Sequence, residues 1–179
     1  VQQLAKWQKE GRDELYISVN ISTKDFQYMD VYQTITSLVE RYGIIPSTLK
    51  LEITETAIMT GNVGELETIG RFRNYGFEVE IDDFGSGYSS LNTLKDMDVD
   101  VLKIDMGFLR TTRSERLERS MSILNMIISL SKVLGLSVVT EGVETKEQVS
   151  RLSQMGCGVY QGYYFSKPIP VQEFEERYM

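Results

Sequence analysis

The chain has 179 residues, 41% of them apolar and 25% charged, with a net charge of −7. That is ordinary globular usage and enough length for one domain with a real core. The acidic balance argues against gripping a DNA or RNA polymer through its phosphates, and leaves room for one small anionic ligand held by a metal.

Helical spacing of Leu4 and Trp7 predicts a helix over Val1–Lys9, ended by Gly11. Leu15–Asn20 (LYISVN) alternates and is rich in β-formers, so it reads as a strand. Asp30–Tyr42 reads as a helix closed by Gly43 and Pro46, and Leu49–Thr54 (LKLEIT) as a second strand. Val63–Tyr75 is expected to be a helix carrying Leu66, Ile69 and Phe72, and Phe77–Asp82 a third strand. A short helix over Leu91–Lys95 and a fourth strand over Asp100–Ile104 follow. The stretch 110–119 is charge-dense and reads as an exposed loop with a first helical turn. Leu117–Leu134 is the longest predicted helix, then come a strand at Leu136–Thr140, a helix at Lys146–Met155, a short strand at Val159–Gln161 and a last helix at Val171–Tyr178. Strands alternating with helices across short connections mean a parallel sheet with helices outside it. The pattern fits an open doubly wound sheet or most of a (β/α)8 barrel, and the absence of GxGxxG and of a P-loop lowers the first.

No histidine is present. That removes Ser-His-Asp triads, histidine general bases and histidine-built zinc or iron centres, so any metal must be held by oxygen. The single cysteine, Cys157, leaves no internal disulfide; a reducing compartment and a cytoplasmic location are expected. No apolar run approaches the ~18 residues of a membrane span, so no membrane contact by this domain is expected. The opening VQQLAKWQKEG lacks the apolar core of a signal peptide and reads as a helix entered partway, so the chain is expected to begin inside a larger protein.

The chemistry concentrates at the strand ends. The stretch IDDFGSGYSSL (Ile81–Leu91) places adjacent carboxylates, Asp82 and Asp83, at the end of a strand, before a loop with Gly85 and Gly87 and the cap candidates Ser89 and Ser90. Neighbouring strand residues face opposite ways, so both carboxylates reach one site only if the strand breaks there. The other strands carry or end in Asn20, Glu52 (with Glu55 beyond it), Lys103, Glu141 (with Glu144 beyond it) and Gln161. In a parallel barrel all these ends meet at one mouth. Taken singly, each is most simply a solvated cap or an ion-pair member; the recurrence at every strand points to an oxygen-rich cation site. Such a site suits the hydrolysis of a phosphodiester, with Lys103 on a water or phosphate oxygen and Glu141 as general base.

These residues also resemble a known family. DDFGSGYSSL (Asp82–Leu91), LEITE (Leu51–Glu55), SVNIS (Ser18–Ser22), LKID (Leu102–Asp105), TEGVET (Thr140–Thr145) and QGYYFSKP (Gln161–Pro168) are similar to EAL-domain cyclic-di-GMP phosphodiesterases, in order and over essentially the whole chain. The resemblance implies a (β/α)8, TIM-like barrel and Mg²⁺- or Mn²⁺-dependent hydrolysis of cyclic di-GMP to linear pGpG, with Ca²⁺ inhibiting. It implies metal ligands at Asn20, Glu52, Asp82 and Asp83, a water-orienting Lys103, a general base at Glu141 and a loop-bracing Glu55. Gln161, Glu144, Gly85 and Gly87 match supporting positions at the same mouth. It further implies a homodimer and neighbouring GGDEF, PAS or receiver domains. The Glu-Ala-Leu signature strand, part of the family's N-terminal quarter, is not in this sequence, so this chain alone is expected to be inactive where the parent protein is active. Glu80 stands where the family usually has a small apolar residue; it is expected to point inward and to need a basic partner, unless it marks a remodelled site. Thr140 replaces the usual Ala before Glu141, an expected neutral change. The alternatives are an EAL-type receptor or interaction module without hydrolysis, and a metal-dependent barrel enzyme of another class.

Overall fold

The computed structural model describes residues 1–60, 63–85, 98–108 and 114–179. Its strands are β1 (Ile17–Ile21), β2 (Leu49–Thr54), β3 (Val79–Phe84), β4 (Val101–Ile104), β5 (Ser137–Thr140) and β6 (Val159–Tyr160). All five pairings are parallel and the order is β1-β2-β3-β4-β5-β6. A doubly wound sheet reverses its order partway. This one never does, which decides between the two architectures left open by the alternation of elements.

The helices are α1 (Gln2–Lys9), α2 (Thr23–Tyr28), α3 (Val31–Tyr42), α4 (Glu55–Thr60), α5 (Val63–Tyr75), α6 (Ser114–Leu134), α7 (Lys146–Gln154) and α8 (Val171–Tyr178). The termini follow cap chemistry. The Asp30 carboxylate accepts from Gln33 N at 2.9 Å, and Gly43 ends α3 at φ 66°. Thr145 and Gln148 form a reciprocal capping box at α7. Two helices lie outside the expected set. The first, α2, has its own capping box, Ser22 with Asp25, a signal the sequence itself carries. The second, α4, follows β2 without a loop. Strand β1 starts and ends later than expected, because Ile21 is buried and pairs in register with Ile53. The expected helix at Leu91–Lys95 and residues 110–113 lie outside the described residues.

The two sheet faces differ in kind. Leu51, Ile53, Val79, Ile81, Leu102 and Ile104 are fully buried in one apolar cluster with Phe72 of α5 and with Leu124 and Ile128 of α6. Each such side chain contributes about 1.5–3 kcal/mol on burial. The alternate positions carry charge: Glu52, Glu80 and Lys103 are also buried. Period-2 alternation therefore makes a greasy outer layer against the helices and a charged inner layer. The N-terminal end of the sheet is tied by Asp100, which accepts from Val79 N at 2.9 Å and pairs with Arg73 of α5 at 2.9 Å.

The chain ends meet. Glu175 of α8 accepts from Gln3, Lys6 and Trp7 of α1 at 2.7–2.8 Å, and Trp7 packs on Phe174 with centroids 5.6 Å apart. No described helix is long and apolar enough to cross a membrane.

Candidate metal centre and active site

Strand β3 does not end at Asp82. It continues through Asp83 to Phe84, and its register against β4 shifts between Ile81 and Phe84. Asp83 takes φ 56°, a left-handed conformation that costs a non-glycine residue free energy. This bulge does what a strand end was expected to do. It interrupts the alternation, so that Asp82 and Asp83 reach one place instead of opposite faces. One oxygen from each of Asp82, Asp83 and Glu141 lies within 4.8 Å of the others. Glu141 arrives from the end of β5, where its N–H donates to Ile104 O at 3.1 Å.

Lys103, projecting from β4, is the hub beneath this cluster. Its ammonium lies 2.7 Å from Glu52, 2.8 Å from Asp82 and 2.9 Å from Glu141, and its side chain is 4% exposed. Burial acts to lower the Lys103 pKa, and the bonds to Asp82, Glu52 and Glu141 outweigh it, so the pKa is raised and the charge is locked in. The carboxyls of Asp83 and Glu141 shift upward, first through burial. Asp82 adds repulsion at both, and Lys103 only partly offsets it. These carboxylates therefore lie close together with less positive charge than they need.

Each expected site residue has a definite place. Glu52 pairs in register with Asn20 on one side and Glu80 on the other, and is held by Lys103 rather than grouped with the three clustered carboxylates. Asn20 is exposed on β1. Glu141, expected as a base, sits within the carboxylate cluster itself. Glu55, 2% exposed, accepts from Gly85 N at 2.8 Å. A Cβ at Gly85 would come within 2.4 Å of the Phe108 ring, so this end of the loop is also closely packed. Glu144 and Gln161 line a cavity of about 350 Å³ that shares Glu141 with the cluster. Gly87, Ser89 and Ser90 lie outside the described residues.

Glu80 has the partner its burial demands. Lys50 Nζ stands 3.4 Å from its carboxylate and 2.7 Å from Glu78, and Ser18 Oγ donates to it at 3.2 Å. Lys50 also stands 4.0 Å from the centroid of the Tyr16 ring. The pair is incomplete compensation: burial still raises the Glu80 pKa, Lys50 opposes this and Glu52 adds to it. Lys50 and Ser18 were not among the expected inward residues, although both share the face of Glu52 by alternation. Gly162 is a further residue that the pattern of strand ends does not single out. A Cβ there would lie 2.1 Å from Val143 O and 2.3 Å from Val143 N. The segment that presents Gln161 therefore packs directly on the backbone that presents Glu141 and Glu144.

The donor set is all oxygen, clustered, and short of positive charge, which suits a hard divalent cation. A model of the EAL domain matches residues 1–168. The chain belongs to the EAL-domain family. Its fold is accordingly TIM-barrel-like. The cyclic di-GMP phosphodiesterase RocR of Pseudomonas aeruginosa is 34% identical over 158 residues, which are 88% of this chain and 40% of RocR. Curated relatives are matched over 20% to 40% of their own length. A solved structure of the PaMucR phosphodiesterase in complex with c-di-GMP superposes with a TM-score of 0.87 at 32% identity, covering 97% of this chain and 69% of that one. Klebsiella pneumoniae BlrP1, solved with c-di-GMP and calcium or manganese, gives TM-scores of 0.81 and 0.79 at 26% identity, covering 93% of this chain and 42% of BlrP1.

Proposed function

We propose that the protein hydrolyses one phosphodiester of cyclic di-GMP to give linear pGpG, using Mg²⁺ or Mn²⁺. The observation that carries this reading is the convergence of Asp82, Asp83 and Glu141 above a lysine already held by Glu52, Asp82 and Glu141. Relatives named as cyclic di-GMP phosphodiesterases and a neighbour solved with c-di-GMP supply the substrate class.

Asp82 and Asp83, with Glu52 and Asn20 on the adjoining strands, would hold the cation. When bound, the metal supplies Lewis-acid polarisation of the phosphodiester and eases deprotonation of the attacking water. Glu141 accepts that proton on a carboxylate oxygen; its upward pKa shift brings it closer to the range in which a base is efficient. Lys103 keeps Glu141, Asp82 and Glu52 in register, its three N–H donors facing those three carboxylates. Glu55 holds the start of the glycine loop through Gly85 N. Ca²⁺, with looser geometry and weaker Lewis acidity, would bind and inhibit. The parent protein is taken to be a cytoplasmic homodimer carrying further regulatory domains.

The test is hydrolysis of cyclic di-GMP by the full-length protein in Mg²⁺ or Mn²⁺. Asp82→Asn should lower the rate by more than about a hundredfold, beyond what loss of an outer-shell partner costs. Hydrolysis indifferent to Asp82 would remove the metal-site assignment. Binding without turnover in the unmodified protein would make it a receptor.

A further inference from the structure

The inner layer of the sheet carries a second charged tier, nearer the N-terminal ends of the strands, that the catalytic reading does not use. Glu80 of β3 is 3% exposed and pairs in register with Glu52 of β2. Two buried carboxylates side by side repel each other, and each needs a cation of its own. Two lysines are divided between them. Lys103 takes Glu52 at 2.7 Å, together with Asp82 and Glu141. Lys50 takes Glu80 at 3.4 Å, together with Glu78 at 2.7 Å, and Ser18 Oγ donates to Glu80 at 3.2 Å. The Tyr16 ring closes another side of Lys50, its centroid 4.0 Å from Nζ.

The strand itself does not force this division. Lys50 and Glu52 stand two residues apart on β2, on one face and about 6.6 Å apart along it. A flexible lysine stem spans that distance, so Lys50 could serve Glu52 as readily as Glu80. Yet no ion pair joins Lys50 to Glu52 among the described residues. Glu78 and Glu80 occupy the ammonium instead. Glu52, left to Lys103, stays level with Asp82, which shares that lysine. The difference matters for a metal ligand, because a carboxylate neutralised by a second ammonium is a poorer partner for a cation.

We propose that Glu80 is a positioning residue for the metal centre: by occupying Lys50 it leaves Glu52 to Lys103 and to the cation. It thereby sets metal affinity without touching the metal or the substrate. This rests on the phosphodiesterase reading, in which Glu52 is a ligand, and adds to it a residue that keeps that ligand free. The two charges are matched. Lys50 creates the competition that Glu80 removes, so deleting both should do less harm at the metal than deleting Glu80 alone.

The experiment measures Mn²⁺ affinity calorimetrically, without nucleotide, for the full-length protein, for Glu80→Gln and for the double variant Lys50→Met/Glu80→Gln. Metal-free melting temperatures are taken in the same buffer. Gln keeps the shape of Glu80 and an acceptor for Ser18 and loses only the charge. Glu80→Gln should weaken Mn²⁺ binding about tenfold, the scale of a lost support behind a metal ligand, with no fall in metal-free melting temperature. The double variant should return to within about twofold of the parent, since the competing ammonium is gone. A loss of affinity that the double variant does not restore, or one accompanied by a lower melting temperature, would show a merely structural role and overturn the proposal. Parental Mn²⁺ affinity in Glu80→Gln would also overturn it and leave the phosphodiesterase reading standing. Failure of the unmodified protein to bind Mn²⁺ would bring down the functional reading, and the role of Glu80 with it.

Discussion

Replacing Lys103 with methionine removes one ammonium from the centre of three carboxylates while keeping most of the side-chain volume. Lys103 is 4% exposed at its side chain, and Glu52, Asp82 and Glu141 are 10%, 15% and 14% exposed, so solvent screens little of the loss. Breaking a buried ionic cluster by deleting one sign costs about 3–5 kcal/mol, because the remaining charges stay buried without compensation. At about 2.1 cal/mol/K per residue, unfolding 179 residues carries an entropy near 0.4 kcal/mol/K. The melting temperature of Lys103→Met should therefore fall by about 8–13 °C in metal-free buffer. A divalent cation held by Asp82 and Asp83 restores positive charge beside the same carboxylates, so saturating Mn²⁺ should recover part of the deficit. Calorimetry of both proteins with chelator and with Mn²⁺ measures all four values. A variant melting within about 2 °C of the parent without metal would refute the view that Lys103 holds the inner layer together.

The raised carboxyls give the metal effect a pH dependence. Asp83 and Glu141 have folded pKa values above their ordinary 3.8 and 4.5, so their contribution to stability is fully present below those values and is lost as pH rises through the folded ones. A cation reverses that loss, and the Mn²⁺-induced rise in melting temperature should be larger at about pH 8 than at about pH 5; a pH-independent rise would contradict the cluster. For Glu80 the same sign holds, since burial outweighs Lys50. Glu80→Gln keeps an acceptor for Ser18 and should raise the melting temperature at about pH 8 but not at about pH 4; a lower value at the higher pH would show that the Lys50 pairing dominates. Gly162→Ala forces a Cβ into the Val143 backbone and should cost about 1–3 kcal/mol, read as an earlier denaturant midpoint with unchanged slope.

The charged strand ends were legible one residue at a time, because period-2 alternation assigns Glu52 and Lys103 to one face without reference to the rest of the chain. At Asp82 and Asp83 the same rule set a condition, that the strand break there. Alternation sends them apart, and the left-handed Asp83 that reunites them arises in the pairing of β3 with β4, which no local pattern announces. Glu80 was visible as an inward carboxylate; its partner on a neighbouring strand was not, since Lys50 reaches it only once β2 and β3 are in register. Nothing in the local sequence sets Gly162 apart from the other glycines; the Val143 backbone packed against it does.

By itself the sequence determined the alternation of strands and helices, the exclusion of histidine chemistry, an oxygen-only donor set and the motifs that place the chain in its family. Those are properties of composition and of spacing along the chain. Tertiary structure alone decided that the strand order never reverses, that Asp82, Asp83 and Glu141 converge, and that one lysine serves three carboxylates. The last of these depends on groups 21 to 51 residues apart being brought within hydrogen-bonding distance, as in Lys103 with Asp82 and with Glu52. The free energy that brings them together is supplied mainly by the apolar outer face of the sheet, not by the polar residues themselves.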